Sequence, residues 1–166
     1  MNGAKRRSYE AGHRPKFLVV VDDTPECSRA VHFAARRCAR TGASLLLLSV
    51  ATLPDEFEWL GVEDALRAEA EDEAAALGEA AAAKARACGG VEPEQVAKVG
   101  DKADAIAALI EEDEDISFLV LAAATGANGP GPLVASIASK GAGAFPIPVV
   151  IVPGALADDE IEALAG

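Results

Sequence analysis

Five short apolar stretches punctuate this chain, and four of them are continuous rather than alternating. The continuous four are Phe17 to Val21 (FLVVV), Ser44 to Val50 (SLLLLSV), Ile116 to Ala124 (ISFLVLAAA) and Val149 to Val152 (VVIV); a weaker one lies near Val91 to Val99 (VEPEQVAKV). Side chains alternate across a strand, so an unbroken apolar run of this length predicts a strand covered on both faces. Between the runs the period becomes helical. Thr24 is placed to N-cap a helix with Pro25 at its first position, and Gly42 to end it. On that helix Ala30, Val31, Ala34, Ala35 and Cys38 form one apolar stripe. Cys38 is therefore expected in the core, and His32, with no visible partner, on the surface. A second helix is predicted over 63–88, ending at Gly89-Gly90, with a variable lead-in around LPDEFEWLGV. A third covers 101–112, burying Ala105, Ile106, Leu109 and Ile110. A short fourth runs from Leu133 to Lys140, closed by Gly141 and Gly143.

The order β-α-β-α-β-α-β-α-β predicts an α/β fold: a single-domain, Rossmann-like three-layer sandwich. Its five-stranded parallel sheet would carry helices on both faces, joined by right-handed crossovers. The domain is expected to span 16–153. Residues 1–15 read as a disordered basic leader. The acidic tail 154–166 has Leu156, Ile161 and Leu164 as its only large apolar residues, and reads either as disordered or as a docking segment. In such sheets small ligands bind beyond the carboxyl ends of the strands, at the topological switch point. That directs attention to Asp22, Val50 and Ala51, Gly100-Asp101, and the loop from Thr125 onward.

Composition narrows the classes. At 166 residues, 51% apolar but only 4% aromatic, the chain suits one domain with an aliphatic core. A formal net charge of −12 repels polyphosphate backbones, so nucleic-acid binding is not expected. One small phosphate ligand remains compatible, because backbone N–H groups at a helix N-terminus can hold it locally. Cys27, Cys38 and Cys88 have no CxxC spacing, and the chain has only two histidines, which disfavours a structural zinc site. Reduced thiols fit a cytoplasmic protein. FLVVV, five residues long, is too short for a signal peptide or a membrane span.

The segment FLVVVDDTPECSRAVHFA resembles the first strand and helix of the universal stress proteins, with Val21-Asp22-Asp23-Thr24 at their Val-Asp-Gly-Ser and Ser28-Arg29-Ala30-Val31 following. ASLLLLSVA resembles their second strand, DISFLVLAAATGANG their fourth with its Gly-x-x-Gly loop, and FPIPVVIVP their fifth. The resemblance covers roughly 16–153 and implies the adenine-nucleotide alpha-hydrolase-like fold, nucleotide-dependent regulation in stress response, and homodimerisation through the fifth strand, Val149 to Val152. An apolar edge strand left unpaired invites association, an independent physical reason for that pairing. A further protein partner, unidentified, is implied by the regulatory role.

In the ATP-binding branch of the family the fourth-strand loop reads Gly, two residues, Gly, nine residues, then Gly-Ser or Gly-Thr. Here Gly126-Ala-Asn-Gly129 is followed by five residues and then Ala135-Ser136, so the second half is four residues short and lacks its glycine. The resemblance implies that Val21 and Asp22 approach the ribose or adenine and that Val50 brackets the base. It places Thr125, Gly126, Asn128, Gly129 and Ser136 around the phosphates. The implied ligand is ATP or another adenine nucleotide, with Mg²⁺ only in company with it. Glycines let a backbone approach a phosphate closely, and Pro132 can open the fourth helix with the N–H groups of Leu133 and Val134 free. Pro130 and Pro132 themselves offer no N–H, so the stiff, shortened loop has fewer donors and room for fewer phosphates than ATP carries.

Other readings stand beside this one. The loop TGANGPGPLVAS can be a rigid strand-to-helix corner, leaving a dimeric scaffold or adaptor without nucleotide. Asp22-Asp23 after the first strand, with Thr125 after the fourth, also suits a phosphoacceptor receiver, although no Lys ends the fifth strand. Cys27 in the first turn of its helix is expected to be an inert, half-buried thiol rather than a redox sensor, since Asp22, Asp23 and Glu26 oppose a thiolate. No hydrolytic constellation is present, so an active ATPase is not expected.

Overall fold

The computed structural model describes residues 5–53, 62–140 and 145–166. The four continuous apolar runs become β1 (Lys16–Val21), β2 (Ser44–Ala51), β4 (Ile116–Ala123) and β5 (Val149–Pro153), and the weaker one becomes β3 (Glu94–Val99). Helices α1 (Cys27–Thr41), α2 (Glu63–Gly89), α3 (Lys102–Glu112), α4 (Pro132–Lys140) and α5 (Asp158–Leu164) alternate with and follow them. All strand pairs are parallel, in the order β3-β2-β1-β4-β5. Receiver domains have the order 2-1-3-4-5, so this topology overturns the phosphoacceptor alternative.

Each central strand feeds two cores because its side chains alternate. Phe17, Val19 and Val21 pack on the face covered by α1 and α2, with Ala30, Val31, Ala34, Cys38 and Ala82. Leu18 and Val20 pack on the other, with Ile106, Leu109 and Ile110 of α3 and Val134 of α4. The small residues of α2 let it lie close to the sheet: Ala74, Ala82 and Ala85 are all 0% exposed. The edge strand β3 escapes this pattern. Its Glu94, Gln95, Ala97 and Lys98 are exposed, which explains its weak apolar signal and blunts that edge against further pairing.

Three local expectations are corrected. Thr24 does not cap α1; its N–H and hydroxyl both bond Asp22 Oδ1, forming a turn that delays the helix to Cys27. Described residues of the leader pack on the domain. Arg7 N–H donates to the Glu114 carbonyl (3.0 Å), His13 Nδ1 lies 2.7 Å from Asp115 Oδ1, and Ser8 is buried. His32 is not a surface residue: it is 4% exposed, with Nε2 2.8 Å from Glu162 Oε1. Its partner lies in the acidic tail, which takes the docking alternative. There α5 buries Ile161, and Ala165 just after it is buried too, while Arg29 pairs with Asp158 (2.7 Å) and Arg36 with Glu162 (2.8 Å). The lead-in at 54–61 and the closing glycines Gly141 and Gly143 lie outside the described residues.

Candidate functional site

From β1 the chain goes through α1 to β2 on one side; from β4 it goes through α4 to β5 on the other. The loops therefore part above adjacent strands and leave a crevice, the expected ligand position in such a sheet. A cleft of about 420 Å³ occupies it, within the range of about 300–1,000 Å³ of small-molecule sites. Val20, Leu121 and Ala122 contribute an apolar floor; Asp22, Thr24, Glu26 and Cys27 come from the β1–α1 turn. Pro130 to Val134 and Ser136 supply a second wall, and Thr52 with Asp101, Lys102 and Ala103 a third.

The proline-rich half of the β4–α4 loop shapes the second wall. Gly129 and Gly131 have φ of +85° and +105°, which a side chain would strain. Between them the Pro130 carbonyl accepts from Ala124 N–H (2.9 Å), pinning the loop to the end of β4, and the Gly131 carbonyl accepts from Ala135 N–H (3.0 Å), starting α4. Pro132 takes the first helical position, where its missing N–H is no loss. The N–H groups of Leu133 and Val134 follow in the first turn and have no acceptor within the helix.

Only part of the set expected from sequence converges here. Asp22 and Ser136 line the cleft. Asp22 Oδ1 is engaged by Thr24, while Oδ2 faces Lys102 Nζ at 3.9 Å. Val21 is 2% exposed and packs beneath α1, on the side opposite Val20, so it does not reach the cleft. Val50 shares the face of Val20 but is buried in the α3 core; Thr52, two residues on, reaches the cleft instead. Thr125, Gly126, Asn128 and Gly129 are exposed at the loop tip and do not line it. A Cβ on Gly126 would meet nothing closer than 4.0 Å, so no close backbone approach requires that glycine.

Lys102, which no motif marks, also lines the cleft. Its signal was position: it follows Asp101 at a strand end already marked by topology, and Asp101 caps α3 by accepting from Asp104 N–H (2.9 Å). Cys27, 7% exposed, forms part of the wall. Burial first, then Asp22 and Glu26, push its thiol up to about 11, so it stands as a neutral, weakly reactive group. Among the described residues no group of three or more His, Cys, Asp or Glu side chains is placed to hold a metal ion, and no helix is long and apolar enough to cross a membrane.

Solved structures of the same architecture carry ligands in some cases. A universal stress protein UspA from Lactobacillus plantarum is similar with a TM-score of 0.67 and 17% identity, over 83% of this chain and 97% of that one. A universal stress protein from Archaeoglobus fulgidus in complex with dAMP gives 0.57 and 19%, over 83% and 97%. A family member from Arabidopsis thaliana with AMP bound gives 0.54 and 23%, over 84% and 91%. At such identities the likeness shows the fold alone. No curated protein matches the chain by sequence. The model of the Universal stress protein family matches residues 13–153, all five strands with helices α1 to α4, and the chain therefore belongs to the universal stress protein family.

Proposed function

We propose that this chain is a stress-response regulator, not an ordinary enzyme, that binds an adenine nucleotide (ATP, ADP or AMP) in the cleft above β1 and β4. One observation carries the reading: at the switch point an apolar floor (Val20, Leu121) faces the open first turn of α4, beside the side chains of Ser136 and Lys102. A base can lie against the floor while a phosphate meets N–H groups at a helix start. The AMP and dAMP complexes of structurally similar family members support it. Mg²⁺ would enter only with the nucleotide. Signalling would follow from altered contacts with a protein partner.

The test is direct. Purified protein is heat-denatured, released nucleotide identified by chromatography, and the stripped protein titrated calorimetrically with ATP, ADP and AMP. Ser136→Ala is expected to weaken binding about fivefold, as for one lost hydrogen bond. Gly126→Ala, at the exposed loop tip, is expected to leave it unchanged. Folded protein that releases no nucleotide and gives no heat with any of the three would refute the reading.

The open edge of β5 favours a second reading, a dimeric scaffold of the same fold. Ile151 is 45% exposed on that edge, and an unpaired apolar strand is a template for pairing with a second copy. Sedimentation equilibrium should then give a dimer that Ile151→Lys converts to monomer. A monomeric parent protein would remove this reading.

A further inference from the structure

The nucleotide reading is the premise here, and the charges around the cleft narrow its ligand. Among the described residues lining it Lys102 is the only cation, against the carboxylates of Asp22, Glu26 and Asp101. Its Nζ stands 3.9 Å from Asp22 Oδ2, beyond hydrogen-bond length, and its side chain is 34% exposed. The ammonium is thus held nearby without being consumed, and can take a ligand oxygen. On the facing wall the α4 start offers the N–H groups of Leu133 and Val134, while Pro130 and Pro132 contribute none. An ammonium and a pair of helix-start N–H groups lining one cleft are donors of the kind a single phosphate takes.

A longer anion meets the acidic side of the same cleft. Each added phosphate brings negative charge beside Asp22, Glu26 and Asp101. Like charges about 7 Å apart, at an effective dielectric of about 20, oppose one another enough to weaken binding about tenfold or more. A divalent cation carried on the phosphates offsets part of this charge, but the cleft would add to its hold only if the carboxylates could seat it. Asp22 Oδ1 and Asp101 Oδ1 are instead occupied by Thr24 and Asp104 N–H, and among the described residues these side chains do not converge as a metal-binding group. We propose that the cleft prefers a nucleoside monophosphate to the di- and triphosphate, with Lys102 as the cation that sets the preference.

The experiment titrates adenosine, AMP, ADP and ATP calorimetrically, with and without Mg²⁺, into the full chain and into Lys102→Ala and Lys102→Arg. AMP should bind tightest, and ATP about tenfold more weakly or worse. Lys102→Ala should lower AMP affinity about tenfold while leaving adenosine unchanged, and Lys102→Arg should restore much of the loss. Circular dichroism melts confirm that both variants fold. ATP binding as tightly as AMP, in either condition, overturns the selectivity while the nucleotide reading survives. So does an AMP-to-adenosine ratio untouched by Lys102→Ala. No binding of any of the four overturns both.

Discussion

Replacing Ile161 with alanine tests whether the acidic tail belongs to the folded unit. Ile161 is 0% exposed, on a seven-residue helix too short to persist alone. Its burial on the α1 side, with the charge pairs of Asp158 and Glu162, is what holds α5 in place. Truncating a fully buried isoleucine costs about 2–5 kcal/mol, from lost transfer free energy and the residual cavity. The end of a chain can open locally, and the loss is capped by the free energy of detaching α5, so about 2–3 kcal/mol is the expected value. For a domain of this size, at about 2–4 °C per kcal/mol, that is a fall in Tm of roughly 4–12 °C. Urea unfolding followed by circular dichroism gives the free energy, and a thermal melt the shift. Leu164→Ala, on the same helix but 63% exposed, is the control, expected within about 0.5 kcal/mol of the parent. An Ile161→Ala protein as stable as the parent, or a Leu164→Ala protein equally damaged, would refute the docking of α5.

Other expectations follow from the same geometry. Gly89→Ala should lower stability by about 1–3 kcal/mol, because its Cβ would sit 2.8 Å from the Ala35 carbonyl oxygen of α1; a stabilised variant, as helix propensity alone would give, would refute that close contact. The hydrogen bond from His32 holds the Glu162 carboxyl below its ordinary 4.5, and Arg29 holds Asp158 below 3.8. Depressed carboxylates stabilise above those ordinary values, and the contribution is lost as pH falls through the folded ones, so Glu162→Gln should flatten the acid limb of a urea-midpoint against pH profile. A variant with the parent's acid limb would refute a stabilising role for the Glu162 pairings. With its thiol at about 11, Cys27 is thiolate in roughly one part in a thousand near pH 8. A disulfide reagent should therefore label half-buried Cys88 first in native protein, as mass spectrometry of Cys27→Ser and Cys88→Ser variants would check.

The switch-point cleft was legible because strand and helix periods fixed the alternation, and alternation implies a parallel sheet with ligands beyond its carboxyl ends. Asp22 and Ser136, singled out on that basis together with the family resemblance, line the cleft. The loop tip from Thr125 to Gly129, whose glycines resemble a phosphate-binding pattern, is exposed outside the cleft, while Gly131 and Pro132 line it. Val21 and Val50 are placed in the two cores by parity and do not line the cleft. A strand turns alternate residues to opposite faces, and only the three-dimensional end of each strand shows which residue first clears the core.

What the sequence by itself determined was the set of local preferences: where apolar runs demand burial on both faces, where glycine and proline break the chain, and the family that these residues share. Only the tertiary structure decided the long-range pairings. His32 has no local partner and gains Glu162 from 130 residues away. The leader is fixed by Glu114 and Asp115, and Lys102 comes to face Asp22 across the cleft. Such contacts depend on which surfaces the closed sheet brings within a few ångströms. Periodicity along the chain sets the direction of each side chain, but its distant neighbour is set by topology and packing.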